Sequence, residues 1–171
     1  MENINPFIFS YNSIFKNEVC AFMTKNNPNI DRIDYLSSFG YKVQNIFIPK
    51  QTHSNKVKWL DSIESKMECD GIFTSNPQIT LSLQTADCVP IFIYDRVTQI
   101  RGLLHAGWRG IVNGIVYNGI RLMKNKNCSY KNIKIFLGPA ICKKCFEVDY
   151  SVAKDFYNIY ESHLKKDKFY V

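Results

Sequence analysis

Ile100-Arg101-Gly102-Leu103-Leu104-His105-Ala106-Gly107-Trp108-Arg109-Gly110-Ile111-Val112 changes its period in the middle. Ile100 to Leu104 reads as a short apolar strand, with His105 at its end. From Trp108 onward, Ile111, Val112, Ile115, Val116, Gly119, Leu122 and Met123 follow the spacing of a helix. Gly107 and Gly110 bracket the turn and let the backbone come close to whatever fills a pocket there. His105 and Arg109 therefore stand at a strand-to-helix junction, where free amides and the helix dipole favour an anion.

Working outward, Val89-Pro90-Ile91-Phe92-Ile93-Tyr94 reads as another apolar strand, and Ile79 to Leu83 alternates as a half-buried strand does. Pro90 has no N–H for a ladder, so an irregular chain is expected just there. That leaves Cys88 at a break between two strands, facing a cleft. Val43 to Pro49 reads as a strand running into Gln51-Thr52-His53, and Asp31 to Phe39 as a short helix ended by Gly40 at C′. Residues 7–11 and 19–24 alternate loosely and read as edge strands. Downstream, Ile133 to Leu137 is a strand closed by Gly138-Pro139. Asp149 or Ser151 then caps a final helix with apolar positions Val152, Phe156, Ile159 or Tyr160, and Leu164. Strands and helices mix without strict alternation, which predicts an α+β fold with a mixed or antiparallel sheet.

At 171 residues the chain fits a single domain with a real core, and 46% hydrophobic with 22% charged residues is ordinary globular composition. The net charge of +7 raises the question of an anionic partner. Lys and Arg are scattered in ones and twos with no basic stripe among exposed aromatics, so nucleic-acid binding is not the expected role. A small anion such as phosphate remains compatible. Met1-Glu2-Asn3-Ile4-Asn5-Pro6 has neither the basic nor the apolar region of a signal peptide, and no apolar run approaches a bilayer's width. Six cysteines in such a chain read as reduced thiols, and a cytoplasmic location is expected.

His53, Cys88 and His105 supply two imidazoles and one thiolate, a full protein ligand set for a catalytic zinc with one position left for water or substrate. The plainer reading takes them as unrelated, the histidines hydrogen-bonded near strand ends and the cysteine a small hydrophobe. Against it, all three sit at strand ends beside small or turn-forming residues, and the chain's remaining histidine is His163. The same residues allow a second chemistry, with Cys88 as nucleophile, His105 as base and Asp87 or Gln84 orienting the imidazole. Cys142-Lys143-Lys144-Cys145 could join Cys128 and His163 in a structural zinc site, but the outer spacings fit no standard finger. A redox CxxC should open a helix, whereas Phe146-Glu147-Val148 looks extended, so two reduced cysteines near a loop are preferred.

Gln51-Thr52-His53, Asp70-Gly71-Ile72-Phe73-Thr74, Thr85-Ala86-Asp87-Cys88-Val89-Pro90, His105-Ala106-Gly107-Trp108-Arg109-Gly110 and Leu137-Gly138-Pro139-Ala140-Ile141 occur in this order. The series resembles the YfiH-like, or laccase-domain, family, from about Pro49 to Val148. The resemblance implies a compact, layered α/β/β/α single domain with His53, Cys88 and His105 as zinc ligands. It also implies phosphorolysis of adenosine, inosine, guanosine and methylthioadenosine, and deamination of adenosine. Some bacterial members are linked to removal of miscoupled peptidoglycan precursors, and older work reported copper-dependent phenol oxidation. A fold relationship to the Cys–His catalytic domain of cytotoxic necrotizing factor keeps a metal-independent hydrolase in play. The family usually has Gly where this chain has Cys142, and its members continue into a C-terminal segment with a further Cys and an Arg-containing motif. The expectation is thus one YfiH-like domain over residues 1–171 without that segment, and a non-catalytic zinc-binding fragment is the contrasting reading.

On the leading reading, purine nucleosides and phosphate are the partners, Arg109 contacts the anion, and Asp87 moves a proton or orients a ligand. The catalytic candidates are Cys88, Asp87 and Arg109. Copper is the second-choice metal, because a blue-copper site wants an axial Met and the nearest, Met67, has no evident reason to be there.

Overall fold

The computed structural model describes residues 9–10, 22–23, 30–38, 40–63 and 67–160. Strands β1 (Phe9–Ser10) and β2 (Phe22–Met23) form an antiparallel pair within the two stretches expected to be edge strands; the rest of both stretches lies outside the described residues. Helix α1 (Arg32–Ser37) begins where expected, with the Asp31 carboxylate accepting from the Ile33 and Asp34 amides at 2.8 and 3.4 Å. Gly40 follows with φ 88°, the left-handed conformation that releases the chain from the helix. Phe39 lies outside the described residues.

The expected strand over Val43 to Pro49 is shorter. A 3₁₀ turn occupies Val43–Asn45, and only β3 (Ile46–Phe47) is extended. Next come β4 (Val57–Trp59) and β5 (Gly71–Thr74), then β6 (Thr80–Leu81), which is all that remains of the expected strand over Ile79 to Leu83. β6 pairs in parallel with β3. The hairpin of β7 (Val89–Asp95) and β8 (Ile100–Ala106) leads into α2 (Trp108–Val112), α3 (Ile115–Asn125), β9 (Ile133–Leu137) and α4 (Tyr150–Tyr160).

A five-stranded sheet in the order β4-β5-β8-β7-β9 organises these elements. Its β4–β5 pair is parallel and the others are antiparallel. Side chains alternate across it, so each face has its own core. Phe73, Ile91, Ile93 and Leu104 pack with Ile115 and Met123 of α3 on one face. Ile72 belongs to a second cluster with Phe47, Leu60, Cys69 and Ile79, under the β3–β6 pair. Helix, sheet and small sheet thus stack in layers, the α+β arrangement that was expected. Among the described residues no helix is long and apolar enough to cross a membrane.

Pro90 corrects an expectation, because it lies within the regular ladder opposite His105. Its carbonyl accepts from Gly138 N–H at 2.8 Å, so its ring nitrogen points to the same side, past the end of β9, where no ladder N–H is required. The helix after Trp108 is likewise not continuous. Gly114, at φ 80°, breaks it into α2 and α3. In α4 the half-buried stripe is Val152, Phe156 and Tyr160, whose hydroxyl donates to the Ile111 carbonyl at 3.2 Å, while Ile159 is exposed. Leu164 and His163 lie outside the described residues.

Candidate metal centre

Strand register brings the site together. Val89 pairs with Ala106 and Pro90 with His105, so Cys88, one residue before β7, falls opposite Gly107, one residue after β8. On the other side of β8, Gly71 pairs with Leu104, which puts Asp70 opposite His105. The His105 amide donates to the Asp70 carbonyl at 2.7 Å, continuing the ladder by one step. The segment around His53 is fastened across from these strand ends. Gln51 donates to the Gln84 carbonyl at 2.7 Å and accepts from the Gln84 amide at 2.8 Å, tying the His53 loop to the segment that carries Cys88.

The ligand atoms of His53, Cys88 and His105 lie within 4.8 Å of one another. The two imidazole rings stand nearly perpendicular, 4.7 Å between centroids. His105 is buried, Cys88 half-buried and His53 exposed, so the cluster opens to solvent on the His53 side. Gly107 closes it from above. A Cβ there would lie 3.1 Å from Cys88 Sγ and 3.1 Å from His53 Cδ2, so a side chain at this position would press on both ligands by a few tenths of an ångström. Gly110 has a similar duty toward the loop, since a Cβ would meet the Ser54 carbonyl oxygen at 3.0 Å.

Asp70 is the organising residue, and it is fully buried. Its carboxylate accepts from three consecutive amides, Thr52, His53 and Ser54, at 3.2, 3.0 and 2.7 Å, and from the Ser54 hydroxyl at 2.7 Å. These bonds hold His53 in the left-handed region at φ 55°, where a non-glycine residue is strained by ~1 kcal/mol. The same carboxylate lies 2.8 Å from His105 Nδ1. With Nδ1–H donating to Asp70, the lone pair of His105 sits on Nε2 and points away from the carboxylate. Burial pushes the Asp70 carboxyl up, but the hydrogen bonds from His105, Ser54 and Thr52 outweigh it and hold the group below the ordinary carboxylate range.

Cys88 moves the other way. Burial, then the nearby Asp87 and Asp70 charges, raise its thiol above the ordinary range. A nucleophilic Cys–His pair needs the opposite shift, whereas a cation bound beside Cys88 would restore the thiolate. The orienting partner of His105 is also neither Asp87 nor Gln84, as the nucleophile reading required, but Asp70. Asp70 stands in the Asp70-Gly71-Ile72-Phe73-Thr74 motif, but a carboxylate opposite a histidine becomes visible only with the register.

The other expected residues do not join this cluster of ligand atoms. Asp87 is exposed beside Cys88, and its carbonyl accepts from Ile141 N–H at 3.0 Å. Arg109 is exposed at the start of α2, its guanidinium 4.5 Å from the Trp108 ring centroid. Met67 packs against the second core cluster. Cys128 is buried in the first cluster and contacts Thr98 Oγ1 at 3.2 Å, while Cys142 and Cys145 are exposed, so these three do not converge on a structural zinc site.

The family model described as multi-copper polyphenol oxidoreductase laccase matches residues 25–170. A purine nucleoside phosphorylase of Rickettsia prowazekii (strain Madrid E) is 32% identical over 152 residues, covering 85% of this chain and 62% of that protein. An adenosine deaminase from an unknown prokaryotic organism is 32% identical over 135 residues, covering 73% of this chain and 52% of that protein. This chain therefore spans only about half to six-tenths of the length of these relatives. In fold it is similar to the crystal structure of the Bacillus licheniformis hypothetical protein YfiH, with a TM-score of 0.74 at 22% identity over 88% of this chain and 68% of that one.

Proposed function

The chain belongs to the multi-copper polyphenol oxidoreductase laccase family, and from that premise we propose that it carries the metal centre of a zinc-dependent enzyme acting on purine nucleosides. The observation that carries this reading is the convergence of two imidazoles and a thiol beneath Gly107, with Asp70 orienting both the His53 loop and His105. The donor set fits zinc: His53, Cys88 and His105 would hold the ion through two neutral nitrogens and one thiolate. A bound zinc would supply Lewis acidity at its open position. Copper is the poorer fit, because Met67 is committed to a packed core cluster.

The chain's own residues then do three things. Asp70 keeps His105 in the tautomer that offers Nε2 and fixes the loop of His53. Arg109, exposed at the start of α2 two residues after Gly107 with its guanidinium over the Trp108 ring, is the contact for phosphate or another substrate anion. Asp87, exposed next to Cys88, is the carboxylate for proton transfer. Relatives named as a purine nucleoside phosphorylase and as an adenosine deaminase support nucleoside chemistry as the class. Phosphorolysis of adenosine, inosine, guanosine and methylthioadenosine is the proposed main activity, with deamination of adenosine beside it. The whole site operates on this reading in a cytoplasmic domain with no nucleic-acid partner.

The test is to incubate zinc-loaded protein with adenosine, with and without phosphate, beside a Cys88→Ala control. Free adenine that appears only with phosphate supports phosphorolysis, and inosine with ammonia supports deamination. Turnover no higher than that of the control in both conditions sinks the enzymatic reading and leaves a non-catalytic zinc-binding domain.

A further inference from the structure

The turn after β9 carries chemistry that the metal centre does not use. Cys142 and Cys145 are both exposed free thiols, and their sulfurs lie 2.9 Å apart. The backbone holds them there: Cys145 N–H and Phe146 N–H both donate to the Cys142 carbonyl, at 3.0 and 3.1 Å, winding residues 142–146 into a tight turn. The preceding residue, Ile141, is pinned through its amide to the Asp87 carbonyl. The two thiols thus form a preassembled, solvent-facing pair on a fixed turn, beside the exposed cations Lys143 and Lys144.

We propose that Cys142 and Cys145 form a thiol–disulfide exchange site, separate from the metal centre, that acts on anionic low-molecular-weight disulfides. Cys142 attacks as the thiolate. Its sulfur bonds to one sulfur of the disulfide R–S–S–R, the S–S bond breaks, and one RS⁻ leaves. Cys145 then loses its proton to the released thiolate, attacks the Cys142 sulfur and expels the second RS⁻, which takes up a proton from solvent. The balance is one protein dithiol and one disulfide giving one protein disulfide and two thiols.

The division of labour follows from the turn. The hydrogen bond shared with the Cys145 thiol, then backbone N–H groups of Cys145 and Lys144, hold Cys142 below the ordinary thiol range, and the same shared bond raises Cys145. An attacking thiol and a resolving thiol need this asymmetry. The buried thiols differ, since burial pushes Cys69 and Cys128 up to about 11. No helix opens at this CxxC, and for that reason the sequence argued against redox chemistry; here the amides of a tight turn take the place of the helix N-terminus. Lys144, exposed beside the pair, favours a disulfide that bears carboxylates.

The experiment exposes zinc-loaded wild type, Cys142→Ser and Cys145→Ser to oxidised glutathione at neutral pH, with intact-mass readings over time and peptide mapping to assign each modified sulfur. Both positions are exposed, so the variants should keep the wild-type circular dichroism. Wild type should lose two hydrogens, with the new bond mapped between Cys142 and Cys145. Cys145→Ser should instead accumulate one stable glutathionyl group on Cys142. In Cys142→Ser, Cys145 should react at least roughly tenfold more slowly than Cys142 does in the other variant. Equal rates at the two sulfurs would overturn the proposal. So would a wild type that keeps both thiols free, or that ends as a mixed disulfide without the internal bond.

Discussion

Two fully buried aspartates mark the two ends of the β7–β8 hairpin, and they serve different purposes. At the closed end Asp95 accepts from the Val97 and Thr98 amides at 2.8 and 3.4 Å, and Gln99 takes a left-handed φ of 58° to complete the turn. At the open end Asp70 gathers three consecutive amides, two hydroxyls and an imidazole, and His53 takes a left-handed φ of 55°. A buried carboxylate beside a strained backbone therefore does not by itself mark a site, because a hairpin turn has both. The open end differs in what the carboxylate holds. One of its partners is a ring whose free nitrogen faces a second imidazole and a thiol.

The sharpest way to break the comparison is to remove that ring. His105→Ala should abolish zinc binding and lower stability by about 3 kcal/mol, because buried Asp70 loses its imidazole and a cavity remains. Calorimetry with metal analysis reads both, and retained zinc would dissolve the distinction between the two ends. Asp70→Asn comes next. It keeps the volume but removes the charge that holds both histidines, so zinc affinity measured by chelator competition should fall ~10–100-fold and stability should drop by about 2–3 kcal/mol.

Gly107→Ala sharpens the contrast from another side. Its backbone, at φ −73°, suits any residue, so the added methyl acts only on Cys88 Sγ and His53 Cδ2. Zinc affinity should fall roughly tenfold, by analogy with the loss of a supporting contact, with unfolding in the metal-free state shifted by under about 1 kcal/mol. Wild-type affinity would mean that the backbone above the cluster yields easily. The smallest effect belongs to Asp95→Asn, which keeps an acceptor for the turn. Stability should fall by about 1 kcal/mol and zinc affinity should not change. A change in zinc binding there would show that the two ends are coupled through the hairpin.

Much of this was legible in the residues. The change of period at His105-Ala106-Gly107-Trp108 located the strand-to-helix junction, and the three ligand candidates do converge. Three features were hidden for identifiable reasons. β5 is buried along its whole length, so it lacks the alternation that reveals a strand, and β4 is only three residues long. The break between α2 and α3 rests on one glycine inside an otherwise helical pattern. Asp70 gains its meaning from pairing across β5 and β8, at residues thirty-five positions apart from each other in sequence. Periodicity is local, whereas this contact is set by register.

The most direct test of the account is zinc per chain, by elemental mass spectrometry, in wild type, Cys88→Ala and Cys142→Ser purified side by side. About one zinc in wild type and Cys142→Ser with none in Cys88→Ala is the predicted result, since one thiolate belongs to the ligand set and the other does not. Wild-type zinc in Cys88→Ala would contradict the account, because the ion would then sit somewhere other than between His53, Cys88 and His105.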